Sequence, residues 1–116
     1  MGTGRQRLTK EERLTVYQMY DGHCAYCGAA IDLKDMQVDH IIPVYKEGQN
    51  KIENYRPACR MCNFYKSTMP VEKFREQLMK IPERLNREFS FRLAVKYGLI
   101  TVNDKHIVFK FEEERK

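Results

Sequence analysis

The chain has 116 residues, a formal net charge of +5 at pH 7 and 42% hydrophobic residues. That length suits one domain, 1–116, with a modest core, and no apolar run approaches the roughly 20 residues that span a membrane. The basic balance points to an acidic partner, of which nucleic acid is the simplest, and no internal repeat or low-complexity segment suggests a fibrous or solenoid fold.

Residues 1–8 read as a loose basic arm. Thr9-Lys10-Glu11-Glu12 has the Thr-x-x-Glu form of a capping box. It predicts a helix running to about Tyr20, with Leu14, Tyr17 and Tyr20 on one side and Asp21-Gly22 as its stop. His23 adjoins Cys24, and with four thiolates available it is expected to pack or hydrogen-bond nearby rather than to hold a metal. A turn-rich link over 28–35 leads to a first strand from Met36 to Ile41. A polar loop over 44–53 turns at Gly48-Gln49-Asn50. Tyr55–Pro57 is a short second strand, and a helix runs from Arg60 to Tyr65 or Lys66.

Thr68 and Pro70 then open a further helix, with Val71, Phe74, Leu78 and Ile81 as its apolar stripe. Pro82 ends that run and begins another, in which Leu85, Phe89, Leu93 and Tyr97 recur at helical spacing. Both stripes are expected to be core, and Gly98 fits the position just past the end. Between Arg60 and Lys96 there are nine Lys/Arg against four Asp/Glu, an excess that suits either a DNA-facing surface or a solvated one. Residues 99–111 predict a β-hairpin turning at Asn103-Asp104-Lys105, and a frayed tail follows from Glu112.

The chemistry concentrates between Cys24 and Lys66. All four cysteines lie there, in two Cys-x-x-Cys pairs, Cys24/Cys27 and Cys59/Cys62. Two such knuckles can supply four thiolates to one tetrahedral Zn²⁺, a closed structural site with no open catalytic position. Disulfides and a redox Cys-x-x-Cys are the rival readings. The absence of a signal peptide suggests a reducing, cytoplasmic setting, which disfavours disulfides, and a redox motif would leave the second pair unexplained.

Inside this frame, Val38-Asp39-His40-Ile41-Ile42-Pro43 is a short β-type run carrying a carboxylate and an imidazole. A carboxylate suits a hard cation such as Mg²⁺, and an imidazole can take a proton near neutral pH. Adjacent strand residues face opposite ways, so the two converge only at a strand end, which Pro43 is placed to create. A bare Asp-His pair describes equally well a surface carboxylate and a half-buried histidine without chemistry. The cysteine frame, Asn54 and Asn63 shift the reading towards a site.

The ordered set Cys-x-x-Cys, Asp-His-Ile-Ile-Pro, Asn-Tyr-Arg-Pro-Ala-Cys, Cys-x-x-Cys-Asn and Lys66 resembles the HNH endonuclease family, in its zinc-ribbon subset common in phage and bacterial genomes. The resemblance covers about residues 13–68. It implies a ββα-metal finger over 24–66; together with the four-cysteine zinc brace, the helices over 70–97 and the C-terminal hairpin read above, the expected fold is α+β. It further implies that Asp39 is a metal ligand and His40 the general base. Asn54 would hold the loop between the strands, and Asn63 would be the second metal ligand. The family name implies His at that last position, so this chain is a His-Asn-Asn variant. The implied activity is divalent-metal-dependent DNA hydrolysis or nicking, with Mg²⁺ or Mn²⁺ at the all-oxygen ligand pair and 5′-phosphate and 3′-hydroxyl products. Arg56, Arg60, Tyr65 and Lys66 surround the site in sequence and are candidate nucleic-acid contacts. Lys66 ranks first because it shares a helix face with Asn63. The alternatives are a non-catalytic zinc module that binds nucleic acid and a structural or adaptor protein.

Overall fold

The computed structural model describes residues 7–113. Most of the expected basic arm and the end of the tail lie outside the described residues. The chain divides into two compact units, one made of residues up to Pro70 together with those from Val108 onward, the other of Val71–Ile107.

In the first unit, helix α1 spans Lys10–Gln18. Its start is the reciprocal capping box. The Glu12 N–H donates to Thr9 Oγ1 at 3.1 Å, and the Thr9 N–H donates back to Glu12 Oε1 at 2.9 Å, so two otherwise orphaned donors are satisfied. The chain leaves the helix through Asp21 and Gly22, both with positive φ. The buried face differs from the expected one. Val16 is fully buried, in a cluster with Met36, Val38 and Tyr55, whereas Leu14 is exposed. Tyr17 packs at the edge of that cluster and its hydroxyl donates to Ile31 O at 2.7 Å.

Strands β1 (Gln37–His40) and β2 (Tyr55–Ala58) pair antiparallel, in a register that sets Asp39 opposite Arg56 and His40 opposite Tyr55. Helix α2 (Arg60–Lys66) follows at once, which completes a ββα unit. The loop between the strands is not featureless. It contains short 3₁₀ turns at Val44–Lys46 and Ile52–Asn54. Gly48 is required there, because a Cβ at that position would lie 1.7 Å from the Ile42 carbonyl oxygen.

In the second unit, α3 (Val71–Met79), α4 (Ile81–Leu85) and α5 (Phe89–Lys96) follow one another. Phe74 and Arg75 are buried. Arg75 is held by Glu72 on its own helix, at 2.8 Å, and by Ile107 O at 2.6 Å. The second apolar stripe is not core: Leu85, Phe89, Leu93 and Tyr97 are all exposed. The helix is also broken: Glu88 takes an extended backbone, so Leu85 no longer continues the face that carries Phe89 and Leu93. Gly98 does occupy the left-handed position just past α5, with φ 76°.

The expected C-terminal hairpin does not form. Among the described residues the only sheet is the β1–β2 pair, and 101–109 carry no strand. Two competing attachments explain this. The Lys110 and Phe111 N–H groups donate to Tyr26 O (3.0 Å) and Ala25 O (2.8 Å), and Phe109 is buried. Ile107 O is taken by the Arg75 guanidinium. Backbone groups that a hairpin would pair with each other are satisfied elsewhere. No helix among the described residues is long and apolar enough to cross a membrane.

Candidate functional site

The two Cys-x-x-Cys pairs are brought together by the sheet. Cys24–Gly28 is a tight turn, closed by the Gly28 N–H bonding Cys24 O at 3.0 Å with Gly28 in the left-handed region. The Ala25 N–H bonds Pro57 O at 2.9 Å, which docks this turn on β2. Cys59 caps α2, its sulfur accepting from the Cys62 N–H at 3.4 Å. All four sulfurs lie within 4.8 Å of one another, and Cys27 and Cys59 are 3.8 Å apart. A tetrahedron with metal–sulfur bonds of about 2.3 Å has edges of about 3.8 Å, so the cluster is the right size for one four-coordinate ion. A hydrogen bond from the Cys62 thiol draws the Cys24 thiol well below the usual thiol range, and that same bond pushes Cys62 up. Burial pushes up Cys27. Backbone N–H groups of Tyr26 and Ala29 also point at the Cys24 and Cys27 sulfurs, at 3.4 Å each, which favours thiolate. His23 is not part of the cluster; its Nδ1 lies 2.9 Å from Asp21 O.

His40 is the last residue of β1, and there the pleat gives way to a loop. Asp39, His40 and, from α2, Asn63 all line one open cleft of about 440 Å³, with the exposed aromatic residues Tyr45 and Phe64 on its walls. The strand end is what allows neighbouring residues to reach the same space. Both polar groups of the dyad are held. His40 Nε2 lies 2.9 Å from Asn50 Oδ1, and the His40 ring packs edge-on to Tyr55 at 5.1 Å. With that oxygen as the acceptor, Nε2 carries the proton and Nδ1 is left as the basic nitrogen. Asp39 is nearly fully buried. Tyr26 donates its hydroxyl to Oδ2 at 2.5 Å, and Lys66 Nζ lies 3.1–3.2 Å from the two carboxylate oxygens.

Asn54 stands behind this arrangement. Its side-chain oxygen accepts from the Ile42 N–H at 2.8 Å, while its amide donates to Ile42 O at 3.0 Å and Gln49 O at 2.8 Å. Three bonds from one side chain tie the strand exit to the loop carrying Asn50.

The family model described as HNH endonuclease matches residues 24–68. That span is similar to an HNH endonuclease domain. The CRISPR-associated endonuclease Cas9 of Corynebacterium diphtheriae is 37% identical over 54 residues, which is 46% of this chain and 5% of that protein. The crystal structure of the Type II-C Cas9 enzyme from Actinomyces naeslundii is similar at a TM-score of 0.52 and 25% identity, over 63% of this chain and 8% of that one. The chain thus spans less than a tenth of either relative.

Within the matched span, two expected surface contacts lie elsewhere. Lys66 is 1% exposed and ion-paired with Asp39, so it is not a surface phosphate contact. The spacing that puts it on the Asn63 side of α2 also aims it inward, because that side of the helix packs on β1. Arg56 is half-buried with its guanidinium 3.6 Å from the centre of the Phe111 ring, and its Nη1 is buried without a hydrogen-bond partner among the described residues. Arg60 is exposed at the start of α2, and Tyr65 is half-buried. Sequence context singles out neither Tyr26 nor Asn50. Tyr26 lies between two cysteines and Asn50 in a polar turn, and neither position signals which side chain it will meet.

Proposed function

We propose that this HNH domain is a metal-dependent DNA endonuclease that hydrolyses a phosphodiester to leave 5′-phosphate and 3′-hydroxyl ends. The observation that carries the reading is the convergence of Asp39, His40 and Asn63 on one open cleft. The four-sulfur cluster takes Zn²⁺ as a structural brace, its thiolate donor set and dimensions matching that ion. The cleft pair, Asp39 and Asn63, offers oxygen donors suited to Mg²⁺ or Mn²⁺. Such a cation supplies charge neutralisation at the scissile phosphate and at the leaving 3′-oxygen.

The chain's own side chains divide the remaining work. His40 accepts the proton of the attacking water at Nδ1, while Asn50 on Nε2 holds the tautomer and the ring plane. Asn54 keeps the strand exit and the loop in one geometry, so that base and carboxylate stay in register. Exposed Arg60, at the mouth of α2, contacts backbone phosphate.

Plasmid cleavage with Mg²⁺, with Mn²⁺ and without added divalent ion, in wild type and in His40→Ala, tests the reading. The wild type is expected to cut only with metal. His40→Ala is expected to keep its fold and lose about a hundredfold to ten-thousandfold in rate, the usual contribution of a positioned base. Undiminished cutting by that variant would move the base elsewhere, and metal-independent cutting would reject the mechanism.

A further inference from the structure

We propose that Tyr26 is a positioning residue for Asp39, and that it ties the geometry of the cleft carboxylate to the cysteine knuckle and to the C-terminal segment. The inference rests on the nuclease reading above. Tyr26 sits inside the knuckle, between Cys24 and Cys27, so its backbone moves with the sulfur cluster. Its side chain reaches from there to β1. The ring is 1% exposed and the hydroxyl donates to Asp39 Oδ2. Lys66 meets the same carboxylate, so its rotation is set by two partners from different elements.

Tyr26 is itself clamped. Phe109 and Phe111 meet its ring edge-on, at 5.4 Å and 5.7 Å, and stack on each other at 5.9 Å. The Lys110 and Phe111 N–H groups bond the backbone carbonyls of Tyr26 and Ala25. Arg56, directly across the sheet from Asp39, closes over Phe111. The Tyr26 hydroxyl therefore links the C-terminal segment to the cleft carboxylate. Hydrogen-bond partners of a metal-ligating carboxylate typically carry about 10–100-fold in metal affinity or activity.

The test is Mn²⁺ binding to the zinc-loaded protein, read by electron paramagnetic resonance, beside cleavage measured across Mn²⁺ concentration. Tyr26→Phe retains the ring and loses only the hydroxyl. Expected are unchanged zinc content and circular dichroism, a Mn²⁺ dissociation constant about 10–100-fold weaker, and cleavage that recovers as Mn²⁺ is raised. Phe111→Leu, which loosens the clamp without touching Asp39, is expected to shift the constant the same way by less, and it carries the test if Tyr26→Phe fails to fold. A wild-type constant and a wild-type activation curve in Tyr26→Phe overturn the inference. An unchanged constant in Phe111→Leu overturns its C-terminal part. A wild type that binds Mn²⁺ without cutting DNA rejects the nuclease reading and leaves the comparison of constants standing. A wild type that binds no Mn²⁺ overturns both.

Discussion

Lys66 shows how far one side chain's role depends on what it meets. Its ammonium is buried against the equally buried Asp39 carboxylate. Removing one partner of such a pair leaves an uncompensated charge in the interior, at a cost of about 3–5 kcal/mol. Lys66→Ala is therefore expected to lower unfolding free energy by about that amount in chemical denaturation, and the double variant Lys66→Met/Asp39→Asn to recover part of it. If Lys66→Ala instead left stability intact and weakened DNA binding, the buried pair would be refuted. Asn63 raises a question of ligand type. Its amide oxygen is a hard donor, whereas an imidazole favours Co²⁺, Ni²⁺ and Zn²⁺. Asn63→His is expected to keep some cleavage and move the preferred ion from Mg²⁺ and Mn²⁺ towards Co²⁺ and Ni²⁺. An unchanged order of metals across those four ions would remove Asn63 from the ligand set.

At the scale of elements, the ββα unit is a small sheet and a short helix with little apolar area to hold them. Its buried cluster is Val16, Met36, Val38 and Tyr55, and α2 has only seven residues. An isolated helix of that length is not stable in water. A metal ion held by the four sulfurs would join the turn after α1 to the start of α2, and its affinity would then be folding free energy. Cys59→Ser removes one of the four sulfurs while leaving a hydroxyl that can still cap α2. Prolonged chelation of the wild type and this substitution are each expected to lower the melting temperature sharply and to release zinc measurable by a colorimetric chelator. Soluble, folded wild type without zinc by elemental analysis would contradict the brace.

For the whole molecule, the net charge of +5 governs how a polyanion approaches. No described element has the form of a dedicated major-groove reader, so binding is expected to be mainly electrostatic and weakly sequence-selective. Log affinity should fall linearly with log salt as counterions are released. Arg60→Ala is expected to weaken binding across sequences and reduce that slope by about one. Lys66→Ala, its cation being internal, should leave the slope unchanged. A single preferred site with salt-insensitive affinity would overturn this picture.

Local chemistry that needs few partners was legible in the residues alone. The capping box of α1, the stop at Gly22, α2 and each Cys-x-x-Cys pair depend on neighbours within a few residues, and the two short strands show in their local residue types. The juxtaposition of Asp39, His40 and Asn63 followed from the motif order and the family resemblance. What required the tertiary structure were choices between equally good local alternatives. Residues 99–111 alternate like a hairpin, yet their backbone groups bond Tyr26, Ala25 and Arg75 instead. Leu85, Phe89, Leu93 and Tyr97 keep helical spacing, yet the break at Glu88 separates Leu85 from the others and all four are exposed. Lys66 reads as a surface cation by type, yet the packing of α2 on β1 turns it onto Asp39. Periodicity specifies which way a side chain points from its own element. Only the assembled fold decides whether solvent, a carboxylate or another ring is waiting there.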